Sequence, residues 1–511
     1  MKVVIPAFTW PPIAPLGLLA FAAILVLLAS LFTERDEEST LWMVPLFGLL
    51  AAGYSMYNLW GHTTSSAFSG MIVIDHFALA IGFIILFAAA CALILAWQDR
   101  AFGAEYMVLI LLATLGMLLF TEANNLITVF LGIEILSLPL YVLSGIHGHR
   151  AASREAAVKY VLMGALSSGI LLYGMALVYA GTGVLGLEAI GTHMSHGAGS
   201  LAYVGVALIV VGLGFKLALV PFHNWMPDVY QGAPIAITAF MSVATKAAAF
   251  AAFARVLLVA FPFVYHQWLP VLWGLAGLTM LLGNLMALRQ RSMKRLLAYS
   301  GITHAGFLVV TLVAATGLGL FASIFYLLAY AFMNLGAFAV VQGLSRDDEE
   351  GDRIESFRGL FFRHPLAAGA MLVFLLSLAS IPTTAGFMAK LSIILAAVQA
   401  GVWPLAVVLV VATMIGLYVY LKVAVAMFDR SAVGAEGTGE GAATRGALAL
   451  GEVGMGAGGP PPEMAVAAVR AAPVLTLGAW IVVAVSVCGT FVFGLWPGPL
   501  LHLLNGGLLL P

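Results

Sequence analysis

Charge is what this 511-residue chain lacks most. Only 9% of its residues are Asp, Glu, Lys or Arg, against 62% hydrophobic, where a soluble domain carries roughly a quarter charged. So little polar surface cannot wrap a soluble globule, and lipid is the solvent this composition demands. A formal net charge of -1 offers no electrostatic pull on a phosphate backbone, which excludes a nucleic-acid-binding protein. Cysteine is almost missing as well. Cys91 and Cys488 stand alone in apolar runs, so no Cys/His set exists for an iron–sulfur cluster or a structural zinc. There is no Walker loop and no G-x-G-x-x-G between a strand and a helix, so nucleotide hydrolysis lacks a site. Any redox chemistry associated with the chain belongs to other chains or to a diffusible cofactor.

What the sequence has is apolar length. About fourteen runs are long enough to cross a bilayer: 12–32, 41–60, 69–97, 105–120, 126–146, 158–181, 201–220, 234–260, 268–288, 294–316, 319–344, 365–400, 402–428 and 474–503. Their continuity predicts an all-α polytopic membrane protein, because lipid offers the backbone no partner outside a helix. The first run ends in Glu34-Arg35-Asp36-Glu37-Glu38 without a small-residue cleavage site, so it reads as a span and not as a cleaved signal. Arg35, Arg100, Arg150, Arg154, Arg289, Arg291, Arg346, Arg353, Arg358, Arg363, Arg430, Arg445 and Arg470 all fall in loops after odd-numbered spans. The positive-inside rule then puts those loops in the cytoplasm and both termini on the outer, periplasmic side of what reads as a bacterial inner membrane. Ser431–Pro462, rich in Gly, Ala and Glu, reads as a flexible cytoplasmic linker.

Removing the loops leaves a few ionisable residues at membrane depth: Glu134, Lys216, Lys246, Arg255, His304, Lys390 and Lys422. A charge at the bilayer centre costs about 2.5–3.5 kcal/mol even on the mildest scale, so each needs a partner, water or a function. Pro221 and Pro227 follow Lys216, and Pro382 and Gly386 precede Lys390. Both lysines therefore sit beside a break in their helix, and interrupted helices at membrane depth mark transport sites. Lys246 lies among small residues that let helices approach, and His304 is ten residues into its span. Such a set suits proton movement, because a lysine loses its proton on desolvation and regains it when a carboxylate approaches. Cation transport would call for clustered oxygens instead. Arg255 reads as a snorkelling or structurally paired residue, and Lys422 divides between snorkelling and a place on the path. Lys159 reads as structural at the cytoplasmic mouth of its helix, and His223 as a hydrogen-bonded member of the turn at the first break.

The segments Leu131-Gly-Ile-Glu-Ile-Leu-Ser-Leu-Pro-Leu-Tyr, Glu155-Ala-Ala-Val-Lys-Tyr, Val220-Pro-Phe-His-Asn-Trp-Met-Pro-Asp-Val-Tyr-Gln-Gly-Ala-Pro, Lys294-Arg-Leu-Leu-Ala-Tyr-Ser-Gly-Ile-Thr-His-Ala-Gly and Ser377 to Lys390 carry a resemblance. In them the chain resembles the antiporter-like membrane subunits of respiratory complex I, from about Glu105 to Asp429. The Asp228-to-Pro234 string separates it from two sister branches, subunits L and M. The resemblance implies three leading helices (1–104), two inverted five-helix repeats (105–260 and 268–428) with broken seventh and twelfth helices, a linker (429–473) and a last helix (474–511). It implies a proton path through Glu134, Lys216, Lys246, Lys390 and His304, with Glu134–Lys216 as a switching ion pair. No cofactor is expected on this chain. NADH, FMN, iron–sulfur clusters and quinone are expected on partner subunits, and the partners are neighbouring antiporter-like and small membrane subunits. Two features depart from the family pattern: Asn124-Asn125 stand where an acidic residue is more usual, and the linker is longer. A cation/proton antiporter subunit of a multi-subunit exchanger, a ferredoxin- or plastoquinone-linked relative and a passive scaffold are the alternatives.

Overall fold

The computed structural model describes residues 10–33, 41–61, 64–97, 102–197, 199–345, 352–429 and 475–498. The acidic run at 34–38, the linker at 431–462 and both chain ends lie outside the described residues. In chain order the helices are α1 (Trp10–Ser30), α2 (Met43–Leu59), α3 (His76–Ala96), α4 (Ala104–Thr121), α5 (Leu126–Ser144), α6 (Ala151–Thr182), α7 (Leu187–Ser195), α8 (Ser200–Lys216), α9 (Trp225–Gly232), α10 (Ile235–Phe240), α11 (Lys246–Arg255), α12 (Tyr265–Ala287), α13 (Met293–Ala314), α14 (Gly317–Ser345), α15 (Leu360–Arg363), α16 (Pro365–Leu378), α17 (Ala385–Gln399), α18 (Trp403–Met427) and α19 (Leu477–Leu495). Among the described residues, eleven helical runs are long and apolar enough to cross a membrane. α10 and α11 form one of them, Ile235–Ala260. The shorter apolar helices are α8, α16 and α17.

One region expected as helix is not. The apolar run starting at 69 opens on a hairpin of two strands, β1 (Ser65–Ala67) and β2 (Ile72–Ile74), paired antiparallel, and helix begins only at His76. Phe68, Ser69 and Gly70 turn the chain at φ of 50°, 56° and 83°, and Ile72-Val73-Ile74 is the branched triplet that favours a strand. Hydrophobicity alone does not separate such a triplet from the helix after it. Asp75 starts α3 by accepting the Ala78 amide at 2.7 Å, an N-cap contact.

Burial sorts the helices into an inner and an outer set. The runs at Ile235–Ala260, Met293–Ala314, Gly317–Ser345 and His76–Ala96 are 94%, 100%, 89% and 78% buried, whereas α1, α12 and α18 are each 39% buried. A helix apolar all round is stable only when enclosed or when lipid covers its free side, so the first four form the core and the others face lipid. Close approach depends on small residues. A side chain at Gly116 would put its Cβ 2.3 Å from the Leu136 backbone nitrogen, so α4 and α5 meet backbone to backbone.

Two interruptions in the helices position the candidate site. α8 stops at Lys216 and the chain resumes as α9 at Trp225. Several of the freed groups are taken up by protein, as membrane depth requires. The Phe215 carbonyl accepts the Ala218 amide and the Trp225 indole, each at 2.9 Å, and Thr279 Oγ accepts the Val220 amide at 3.0 Å. The second interruption separates α16 from α17 across residues 379–384, with Ser380 and Thr383 at φ of 62° and 79°. Ser377 Oγ accepts the Gly386 amide at 3.1 Å, and a Cβ on Gly386 would fall 2.0 Å from the Ser377 carbonyl oxygen.

Gly116→Ala should therefore force α4 and α5 apart and lower stability by about 1–3 kcal/mol or more, as overpacking does. Gly169→Ala, with no atom within 4 Å of the added carbon, should melt like the wild type. Thermal unfolding of the two variants side by side checks this.

Candidate functional site

Lys216 is the last residue of α8 and is 4% exposed. Its ammonium donates to Ser137 Oγ at 2.8 Å and to the Tyr160 hydroxyl at 3.2 Å. Tyr160 is held in place by stacking on Trp225 at 4.9 Å with a 5° tilt, so the second piece of the broken helix positions a ligand of the first. Glu134 lies one turn before Ser137 on α5. It is half-buried, flanked by the exposed Leu131 and Leu138, and its Oε1 has no hydrogen-bond partner. Glu134 and Lys216 are not among the four ion pairs of the described residues. The switching pair implied by resemblance is thus open in this structure, with neutral hydroxyls holding the lysine.

Lys246, also 4% exposed, begins α11 directly after a π-helical turn at Met241–Thr245. Such turns rearrange helix packing and often occur at functional sites. Its ammonium donates to the Gly301 carbonyl at 2.6 Å and to the Tyr330 hydroxyl at 3.2 Å, and lies 4.4 Å from the Tyr330 ring centroid. His304 packs against the same ring at 4.9 Å. The histidine meets the Tyr326 hydroxyl at Nδ1, 2.6 Å, and the Tyr420 hydroxyl at Nε2, 3.4 Å. Tyr420 also bonds Ser300 at 2.6 Å. On the far side of His304, Phe307 carries the Lys390 ammonium 4.7 Å above its ring. Lys390 Nζ donates to the Leu378 carbonyl at 3.3 Å, an orphan oxygen at the negative end of α16. The second break therefore supplies the cap of the lysine that follows it.

Lys246, His304 and Lys390 are thus brought together, with Tyr330 between the first two, Phe307 between the last two, and Tyr326 and Tyr420 on the two nitrogens of the histidine. Tyr230, on α9 with Trp225, is fully enclosed as well. The tyrosines and serines of this axis are absent from the sequence-derived set. Their signal is modest: a phenol in an apolar span needs a partner for its hydroxyl, and Tyr326 and Tyr330 are spaced four apart on α14, so they share a face.

The remaining candidates lie apart from the axis. Lys422 is exposed and lines a cavity of about 620 Å³ with Arg291, Arg358 and Glu355; it is not among the contacts of His304 or Lys390. Arg255 is 1% exposed and does not snorkel; it pairs with Asp75 at 2.9 Å. His223 has no partner at Nδ1, but its ring is hydrogen-bonded to the Pro221 backbone, so it joins Trp225 in securing the turn. Asn125 caps α5 by accepting the Ile127 amide at 2.9 Å, and Asn124 ties the hairpin by donating to the Gly70 carbonyl at 3.2 Å. Lys159 pairs with Glu155 and Asp228, each at 2.7 Å. Arg295 reaches Asp228 at 2.6 Å and Gln231 at 2.9 Å, and Lys294 donates to the Ala233 carbonyl at 3.1 Å. The Asp228–Ala233 stretch thereby clasps α9 to α6 and α13. Among the described residues no group of three or more His, Cys, Asp or Glu comes together as a metal site.

Because these clasp groups are a quarter or more exposed, each pair contributes under about 1 kcal/mol. Asp228→Asn should lower the melting temperature at low salt, and the deficit should shrink at high salt as screening weakens the lost pairs. Melting curves at two ionic strengths decide it.

A family model described as NADH:quinone oxidoreductase/Mrp antiporter, transmembrane, matches residues 123–416. The chain is 42% identical over 423 residues to NADH-quinone oxidoreductase subunit N of Trichlorobacter lovleyi, covering 81% of this chain and 87% of that one. It is 39% identical over 503 residues to subunit N 1 of Symbiobacterium thermophilum, covering 96% and 97%. Among solved structures it is similar to a chain of respiratory complex I from Thermus thermophilus with bound aureothin, at 33% identity and a TM-score of 0.72, covering 94% of this chain and 98% of that one.

Proposed function

This chain belongs to the NADH:quinone oxidoreductase/Mrp antiporter family, in its subunit N branch, and we propose that it moves protons across a membrane as one subunit of an NADH:quinone oxidoreductase. Electron transfer runs in other subunits, which hold the NADH site, FMN, iron–sulfur clusters and quinone. This chain converts their conformational or electrostatic change into proton movement. Its partners are neighbouring antiporter-like and small membrane subunits, in a bacterial inner membrane with the arginine-bearing loops inside and both termini outside.

In this reading the chain makes fourteen spans. The eleven long runs, α2, α8 with α9 as the broken seventh, and α16 with α17 as the broken twelfth supply them. The two repeats are 105–260 and 268–428. The path runs from the Glu134 and Lys216 group to Lys246, His304 and Lys390. The exposure of Lys422 favours a place at the cytoplasmic mouth over one on the path.

The observation that carries this reading is the neutrality of the lysine ligands. Lys216, Lys246 and Lys390 are each about 5% exposed or less, and their hydrogen bonds go to hydroxyls and carbonyls with no carboxylate among them. A structural lysine at this depth is stabilised by a permanent counter-ion. One held only by neutral oxygens can lose its proton without leaving a buried charge behind. Approach of Glu134 to Lys216 supplies the opposite bias.

Glu134→Gln keeps the shape of the side chain and removes that bias. It should lower the protons moved per electron in NADH-driven vesicles, while the subunit still assembles. A wild-type ratio from an assembled Glu134→Gln complex would rule the path out. Sodium-stimulated exchange without any electron donor would point to an exchanger instead.

A further inference from the structure

The proton axis leaves one group of buried charges unused. Asp75 at the start of α3, Glu122 at the end of α4 and Arg255 at the end of α11 are 3%, 2% and 1% exposed. Arg255 Nη2 lies 3.0 Å from Asp75 Oδ1 and 2.9 Å from Oδ2, and its Nε donates to the Thr121 carbonyl at 3.3 Å. The hairpin closes the group. The Val73 amide donates to the Glu122 carbonyl at 2.9 Å and the Asn124 amide to the Met71 carbonyl at 3.0 Å. Three side-chain atoms inside are left without a hydrogen-bond partner: Asp75 Oδ2, which meets the guanidinium only as an ion pair, Glu122 Oε2, an acceptor with no such pair, and Arg255 Nη1, a donor.

An arginine keeps its proton in a protein. Two ionised carboxylates around one guanidinium would leave an uncompensated negative charge in an interior with almost no access to water, which is strongly unfavourable. Neighbouring elements offer no relief. Arg255 and Asp75 are the charged groups that act on Glu122. His76 turns its Nε2 to the Trp60 carbonyl at 3.0 Å, and α1 and α2 carry no charged side chain. Glu134 on α5 lies about 12 Å further along its helix, Lys246 about 13 Å from Arg255 along α11, and Lys216 at the opposite end of α8. Glu188 and His193 on α7 are exposed. Asp75 accepts the Ala78 amide and the guanidinium, partners that favour its ionised form. Glu122 accepts from neither.

We propose that Asp75, Glu122 and Arg255 form a second proton-binding site, in which Glu122 holds one proton and releases it when Arg255 Nη1 turns to its carboxylate. The guanidinium can move to do so because a π-helical segment, Val256–Ala260, follows it directly, as another precedes Lys246 on the same helical run. A shift of that run toward the hairpin would exchange the unfilled donor and acceptor for a new ion pair and expel a proton at the end of the chain's core away from the Lys159–Asp228–Arg295 clasp. The protonation of Glu122 stands by itself; its service as a relay rests on the proton-path reading above.

Infrared spectra of the intact complex in lipid test the charge state. The wild-type minus Glu122→Gln difference should contain a carboxylic-acid C=O stretching band that shifts in D2O, and Glu122→Asp should retain a displaced band. A difference containing only carboxylate bands overturns the proposal. The relay role is read in the protons moved per electron, which should fall in Glu122→Gln. An unaltered ratio there beside a lowered one in Glu134→Gln overturns the relay. A ratio unaltered by Glu134→Gln removes the proton-path reading instead, and the infrared band still decides whether Glu122 holds a proton.

Discussion

A lysine ammonium taken out of water must find oxygen atoms, and the oxygens that the three lysines of this core find are uncharged. Lys216 rests on a serine and a tyrosine, Lys246 on a backbone carbonyl and a tyrosine, and Lys390 on the free carbonyl end of α16. Much of the architecture follows from that constraint. Helices that would otherwise run unbroken stop at Lys216 and restart before Lys390, because the interruptions supply the ligands: Trp225 orients Tyr160, and Leu378 offers its carbonyl. Interrupted backbone is tolerable at this depth where neighbouring groups take up the freed amides, as Thr279 does for Val220 and Ser377 for Gly386.

The same constraint separates two kinds of buried cation. Arg255 is enclosed as completely as the lysines, yet it has Asp75 as a counter-ion. A guanidinium that cannot lose its proton needs a permanent negative partner, whereas an amine that can lose it needs only something to donate to while charged. Residue type and ligand type therefore agree throughout the core. The clasp of Lys159, Asp228 and Arg295 is by contrast ordinary partly exposed ion pairing that fixes α9 against α6 and α13.

How far the sequence could be read depended on what each residue's depth implies. Glu134, Lys216, Lys246, His304 and Lys390 stood out because a charge far inside an apolar run has no bland explanation, and the prolines beside two of them marked the breaks. The hairpin was hidden because Ile72-Val73-Ile74 is as apolar as the helix after it. Asp75 and Glu122 were missed for a related reason: both stand at the edge of an apolar run, where a carboxylate reads as solvated, and only tertiary packing encloses them. Lys422 shows the reverse. Its position along α18 is deep enough to suggest function, but its face of the helix points outward, and apolar composition all round a helix gives no clue to which face that is. The tyrosines that join the lysines were illegible because aromatic residues are common in membrane spans for packing alone.

The central claim is that the three buried lysines carry protons and do not merely fill the core. The most direct measurement is the number of protons moved per electron by the intact complex in sealed vesicles with Lys216, Lys246 and Lys390 all replaced by Met, a side chain of similar length that needs no ligand. The account predicts a complex that assembles and moves fewer protons per electron than the wild type. An assembled triple variant with the wild-type ratio would contradict it, leaving this chain as a scaffold.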